Sequence, residues 1–330
     1  MPPSVGPFPG GQSKPNSTVI HKFPKPIALL YDEIFQARTC TEEFNNLRYA
    51  AEISIHLTLV VGLAGYFSAK QWDSQIDEAL QKLFQTSRWG FGSKISALKA
   101  LCQKAGWQTK AGLESFAKIT VKDLSDLVTK RNLESHYRPS TEREAEQNNE
   151  KLLPLFEQFL LSLTDLSYRS LLCPTQHEKI ANNQWVVRLG RKLTGLAASQ
   201  EEDFNNECKL RPEDCTAEPF RVIDHFSPLI APPNGKGGEC LSLFPFAVFV
   251  PSERAIPNLA LLDRIEWDQG AGGRTRIKKA GFGVCPLDRG STPEKIFETT
   301  ADSRDQQRVC KSLGVLLERL GSFELNPEVK

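Results

Sequence analysis

The sequence predicts an α+β protein, helices first and strands second, on three observations. From residue 25 to 166, apolar side chains recur at three- and four-residue spacing, the period of a helix with one buried face. From Tyr168 onward the period changes, and NQWVVRLGRKL and LSLFPFAVFV are rich in the β-branched and aromatic residues that suit strands. NLALLDRIEW followed by DQGAGGRTRIKKAGFG has the form of a hairpin turning through its glycine-rich stretch. The chain of 330 residues has room for two domains of about 100–150 residues each. The pattern divides it into a disordered arm (1–24), an N-terminal all-α bundle (25–166) and a smaller α+β domain with an antiparallel sheet (167–330).

Each element follows from local signals. Proline, glycine and serine in MPPSVGPFPGGQSKPNST favour disorder at the start. Pro24 and Pro26 introduce IALLYDEIFQAR, a helix with Ile27, Leu30, Ile34 and Phe35 on one side. A second helix opens near Thr41, with Glu42 and Glu43 complementing its dipole, and runs to about Lys70. Gly62 and Gly65 sit three apart on it; glycine costs a helix about 1 kcal/mol, so close packing in the core or at a dimer seam is the reason to keep them. Asp73 or Ser74 caps a third helix, SKISALKALCQKAG is a fourth ended by Gly106, and AGLESFAK is a short element. Ser140 or Thr141 opens TEREAEQNNEKLLPLFEQFLLSL, charged in its first half and apolar in its second, with Pro154 predicting a kink or break. In the second part, the acidic residues 198–218 read as a loop. DSRDQQRVCKSLGVLLERL is a last helix, packing through Val309, Leu313, Val315, Leu316 and Leu320.

Composition limits the function classes. Lysine and arginine total 41 against 40 aspartates and glutamates, so no global field draws the protein to DNA or a membrane, although a local basic groove is compatible with this balance. The eight cysteines are scattered with no Cys-x-x-Cys pair, which disfavours a structural metal site, and no cofactor motif is present. Without the basic start and apolar core of a secretory signal, they read as reduced thiols of a cytoplasmic protein. The apolar run 53–67 is shorter than a membrane span of about 20 residues and reads as a buried core helix.

The chemistry-bearing stretch is VTKRNLESHYRP, residues 128–139. Leu124, Leu127 and Val128 at helical spacing predict an amphipathic helix from about 122 to 136, which Pro139 stops, leaving His136 in its last turn. At about 100° per residue, Arg131 and His136 point about 140° apart on an ideal helix. They converge if the last turn loosens or if a second chain supplies the partner. Arg131, Asn132 and His136, in this helical frame over residues 25–166, resemble the motif of the HEPN superfamily of prokaryotic conflict systems. That resemblance implies an all-helical, dimer-forming domain and a metal-independent endoribonuclease of a defence or toxin system, with RNA as substrate. It assigns His136 to proton transfer at the ribose 2′-OH or the leaving oxygen, Arg131 to the phosphate charge, and Asn132 to the phosphate or the histidine ring. The alternative is a non-catalytic dimerisation, sensor or adaptor module with a protein partner in such a system, which Tyr137 and the balanced charge favour. In that case Arg131 pairs with Glu134 or Glu150 and His136 is a surface residue.

Other features read more simply. His56 inside an apolar helix is a satisfied core histidine rather than a ligand, and His21, His177 and His225 have no partners at catalytic spacing. Cys208 and Cys215 are a weak metal candidate. GAGGRT lacks the Gly-Lys-Ser/Thr ending of a phosphate loop and is a hairpin turn. Arg274, Arg276, Lys278 and Lys279 form a basic strip that suits either RNA phosphates or the protection of an edge strand.

Overall fold

Helices precede strands in the computed structural model, as the change of period at Tyr168 predicts. It describes residues 14–103, 106–119, 141–179, 185–197, 201–210, 227–232, 238–250, 257–269, 275–285, 287, 297–298 and 304–320. The helices are α1 (Ser17–Lys22), α2 (Lys25–Phe35), α3 (Cys40–Ala69), α4 (Ser74–Gln85), α5 (Phe91–Gln103), α6 (Trp107–Ala111), α7 (Glu142–Ser162), α8 (Thr164–Ser167) and, after the strands, α9 (Arg304–Glu318). A 3-10 turn over Glu114–Lys118 follows α6.

The bundle is built around α3. Thr39 caps it through a bond from Glu42 N–H (3.0 Å), and Glu42 and Glu43 occupy the first turn. From Ala50 onward almost every side chain is buried, on all faces, because α2, α5, α6 and α7 pack around it and β strands cover the rest. At 30 residues α3 is long and apolar enough to cross a membrane, but 89% of its most apolar window is buried inside the protein. Gly62 and Gly65 answer the close-approach expectation within the core. A Cβ on Gly65 would stand 2.7 Å from Leu113 and 2.8 Å from Trp107, and one on Gly62 would stand 3.1 Å from Phe116.

Several elements differ from expectation. Residues 17–22, placed in the arm, form α1, because the Asn16 side chain accepts from Thr18 N–H and Val19 and Ile20 are buried. Pro154 leaves α7 unbroken, and its buried stripe already starts at Ala145 and continues through Asn149, Leu152, Phe156 and Phe159. In α9, Val315 is exposed, and Leu317 packs inward with Val309, Leu313 and Leu320.

The strands make two sheets rather than one. The first is ordered β5-β3-β2-β1-β4-β6, from β1 (Leu171–Lys179), β2 (Trp185–Leu193), β3 (Glu201–Leu210), β4 (Leu229–Ile230), β5 (Gly238–Glu239) and β6 (Leu241–Ser242). All its pairings are antiparallel except the short β3–β5 contact. The second is antiparallel, ordered β10-β9-β8-β7, from β7 (Ala247–Val250), β8 (Asn258–Gln269), β9 (Thr275–Cys285) and β10 (Phe297–Glu298). β3 occupies part of the stretch expected as an acidic loop. Its register against β2, with a Lys192–Glu202 ion pair at 2.6 Å, supplies the pairing that composition does not reveal. β8 and β9 pair out to Gln269 and Thr275, the predicted hairpin.

One hydrophobic core runs through both parts. It is continuous from Val19 and Ile27 through α3 to Phe246, Leu262, Phe282 and α9. The start of the chain is also tied to the first sheet. Gly195 N–H donates to Phe23 (2.8 Å), Leu196 N–H to Ile20 (3.1 Å), and Lys25 Nζ to Ala197 (2.7 Å). Gly195 has a positive φ, and a Cβ there would lie 2.7 Å from the His21 carbonyl.

Candidate functional site

Among the described residues, a cluster of buried charge lies where the helices meet the second sheet. It begins with a fault in the β8–β9 ladder. Leu262 faces Phe282 and Arg264 faces Gly281, which leaves Asp263 as the extra residue of a β-bulge. Bulges bend a strand and re-aim a side chain, and here the carboxylate turns into the helices. Asp263 Oδ1 accepts from Lys94 Nζ of α5 at 2.6 Å, with side chains only 12% and 4% exposed. The same ammonium lies 3.3 Å from His56 Nδ1 on α3. The other ring nitrogen, Nε2, sits 2.8 Å from the Leu262 carbonyl. A carbonyl can only accept, so Nε2 carries the hydrogen and Nδ1 offers its lone pair to Lys94. The connection between α4 and α5 closes the site: Trp89 N–H donates to the Asp263 carbonyl (2.8 Å), and the exposed Arg88 reaches within 3.9 Å of Oδ2.

Electrostatics keep this histidine neutral. Burial comes first and the adjacent Lys94 charge second, and together they hold its pKa well below the ordinary value despite the Asp263 carboxylate and the Leu262 carbonyl. Cys285 of β9 is wholly buried against the same charges, and burial pushes its thiol up to about 12, leaving it no nucleophile. Three segments of the helical part therefore grip one bulge. With its groups this covered, the arrangement acts as a joint and not as an open reaction centre.

Arg131, Asn132 and His136 lie outside the described residues, but the ends of their segment are fixed. On one side Ile119 is buried after the 3-10 turn, whose Ser115 N–H donates to Asp165 (2.5 Å). On the other, Thr141 caps α7 through Glu144 N–H (3.2 Å). Glu142 accepts from Cys40 N–H (2.7 Å), Thr41 N–H (3.3 Å) and the Thr41 hydroxyl (2.7 Å), seating α7 on the start of α3. Burial, and then the nearby Glu146, raise the Glu43 pKa against a hydrogen bond from Asn149 that lowers it.

The remaining candidates separate. His56 is the satisfied core histidine its setting predicts, and His21 is exposed. Arg274, Cys215 and His225 lie outside the described residues, as do the side chains of Arg276, His177 and Cys208. Lys278 is exposed and Lys279 half-buried. β9 is flanked by β8 and, at Gly281 and Phe282, by β10. Uniformly reduced thiols are corrected: Cys40, Cys102, Cys173, Cys285 and Cys310 form no disulfide, and Cys240 is disulfide-bonded. No group of three metal-binding side chains occurs among the described residues.

Lys94 and Asp263 are the residues that sequence reasoning missed, although both left a signal. Lys94 shares the apolar face of α5 with Leu98, Leu101 and Cys102, and Asp263 has the strand parity of Leu259, Leu261 and Ile265. A charge on an otherwise apolar face calls for a buried partner. No protein-family model, curated protein or solved structure matches the chain.

Proposed function

We propose that the protein is a metal-independent endoribonuclease of a prokaryotic defence or toxin system, resembling the HEPN superfamily and working as a homodimer in the cytoplasm. The observation that carries the reading is the Arg-x4-His motif of Arg131 and His136, which lies in sequence between the buried Ile119 and Thr141, the cap of α7. In this chemistry a base takes the proton of a ribose 2′-OH, and its oxygen attacks the phosphorus. The bond from phosphorus to the 5′ oxygen breaks, and an acid protonates that leaving oxygen. The products are a 2′,3′-cyclic phosphate and a 5′-hydroxyl. An imidazole near its ordinary pKa of about 6.5 can give or take that proton at neutral pH, which is the role of His136. Arg131 supplies a forked cation to the crowded phosphate, and Asn132 holds the phosphate or the ring.

Labelled RNA incubated with the full chain in chelator tests this. Cyclic-phosphate products should form, and His136→Ala or Arg131→Ala should reduce the rate at least a hundredfold. Cleavage indifferent to both substitutions removes these residues from the chemistry. In a cytoplasm the Cys240 disulfide would be unusual. Thiol counting before and after reduction, on protein taken from its native compartment, checks the location.

A second reading, a non-catalytic sensor or adaptor, is favoured by the shared core and the Lys94–Asp263 joint, which couple the helices to the sheet. It expects no cleavage, together with specific retention of a protein partner that is lost when the joint is broken.

A further inference from the structure

We propose that the joint of His56, Lys94 and Asp263 is an acid-operated latch: uptake of one proton at Nδ1 of His56 frees the β8 bulge from the helices while the rest of the fold stays closed. The inference rests on the geometry of the joint and is independent of the Arg131 motif.

In the closed joint Nε2–H is committed to the Leu262 carbonyl, 2.8 Å away, so Nδ1 is the one place an added proton can go. That atom already faces the Lys94 ammonium at 3.3 Å. Protonating it removes an acceptor from Lys94 and sets imidazolium against ammonium in a site 3% exposed at both residues. The groups facing His56 offer little relief. α5 brings Lys94, β8 brings Asp263, already bonded to Lys94 at 2.6 Å, and β9 brings the neutral Cys285 thiol. The α4–α5 connection brings Arg88, a third cation, and Tyr49 on α3 lies near Cys285. Among the described residues, Asp263 is the carboxylate of this cluster and it serves three cations once the ring is charged.

Opening the joint returns the ring to water, where it titrates near its ordinary value of about 6.5. Because the closed ring has a lower pKa, the open form binds more protons as pH falls. The latch is therefore fully held above about pH 6.5, and below it the opening constant rises by up to tenfold per pH unit. Only the contacts around the bulge are tied to this proton. The strand pairings of the six-stranded sheet include none of His56, Lys94 and Asp263.

Cys285, 0% exposed beneath the joint, reports opening, and Cys173, 2% exposed in β1 of the other sheet, reports global unfolding. The full chain is treated with 4,4′-dithiodipyridine, which reacts with thiols in acid, between pH 8 and 4.5. Labelling is read peptide by peptide, each rate divided by that of the same thiol in the denatured chain at the same pH. The expected result is a Cys285 rate that is flat above about pH 6.5, climbs below it by up to tenfold per unit and stays above the Cys173 rate throughout, with the climb abolished in His56→Gln. A Cys285 rate that does not climb, one that never exceeds the Cys173 rate, or a climb that persists in His56→Gln overturns the latch. Should His56→Gln fail to fold, the His56 imidazole resonances in the wild-type chain decide. They must stay neutral in the closed population at pH 5, and a closed-state titration near 6.5 refutes the proposal.

Discussion

Lys94 holds two acceptors that belong to different parts of the chain, and its removal separates Coulomb gain from desolvation cost. Lys94→Met leaves the Asp263 carboxylate largely buried without its cation, which costs about 3–5 kcal/mol. Lys94→Met combined with Asp263→Leu removes both charges and should recover most of that loss. Urea denaturation of the three proteins measures it, and a double variant as unstable as the single one would show that geometry, not charge burial, sets the cost. The partnership was hidden from sequence reading because 169 residues separate the two. His56 was legible as a satisfied core residue, since its apolar flanks require burial and burial requires a partner. The identity of that partner, a carbonyl freed beside a bulge, depends on strand register.

At the scale of elements, α3 shows how far local pattern reaches. Its acidic first turn and its two small residues are read from spacing alone, whereas its cap is Thr39 and not the expected Thr41, and the close approach of Trp107 and Leu113 to Gly65 gives the small residues their reason. Gly65→Ala should therefore destabilise by about 1–3 kcal/mol through overpacking, despite the better helix propensity of alanine. Thermal unfolding checks the sign, and a stabilised variant would mean that the contact yields easily. β3 marks the opposite limit. Glu201, Glu202 and Asp203 are exposed and suit strands poorly, yet β2 recruits them through ladder bonds and Lys192, and the Thr175 hydroxyl of β1 donates to Glu201. Strand propensity is mostly a report on neighbours, which the local sequence does not name. α1 was missed for a related reason: its cap is local, but the pocket for Val19 and Ile20 is not.

At the scale of the molecule, the two-part division visible in the period of the sequence coexists with one continuous core. Phe67 of α3 packs on Phe246 at 5.5 Å between ring centroids, and α3 lies directly against β8 and β6. Residues 14–167 produced alone should expose that apolar face, aggregate or bind a hydrophobic dye, and lack a sharp thermal transition. The full chain should unfold in one calorimetric step, and a soluble, cooperatively folding fragment would show that the bundle stands by itself. The α+β class and the order of helices and strands were legible because period survives in any context. The motif of Arg131 and His136 was legible as a spacing, whereas the joint at Asp263 was not, because it exists only once the sheet is registered against the bundle.

Lys25 finds its acceptor at Ala197, 172 residues further along, and Gly195 and Leu196 bond to Phe23 and Ile20. On a ribosome the first two helices emerge long before β2 and the turn behind it. A nascent chain stalled short of residue 197 would carry those helices half-docked, with Val19 and Ile20 available to chaperones until the missing turn arrives.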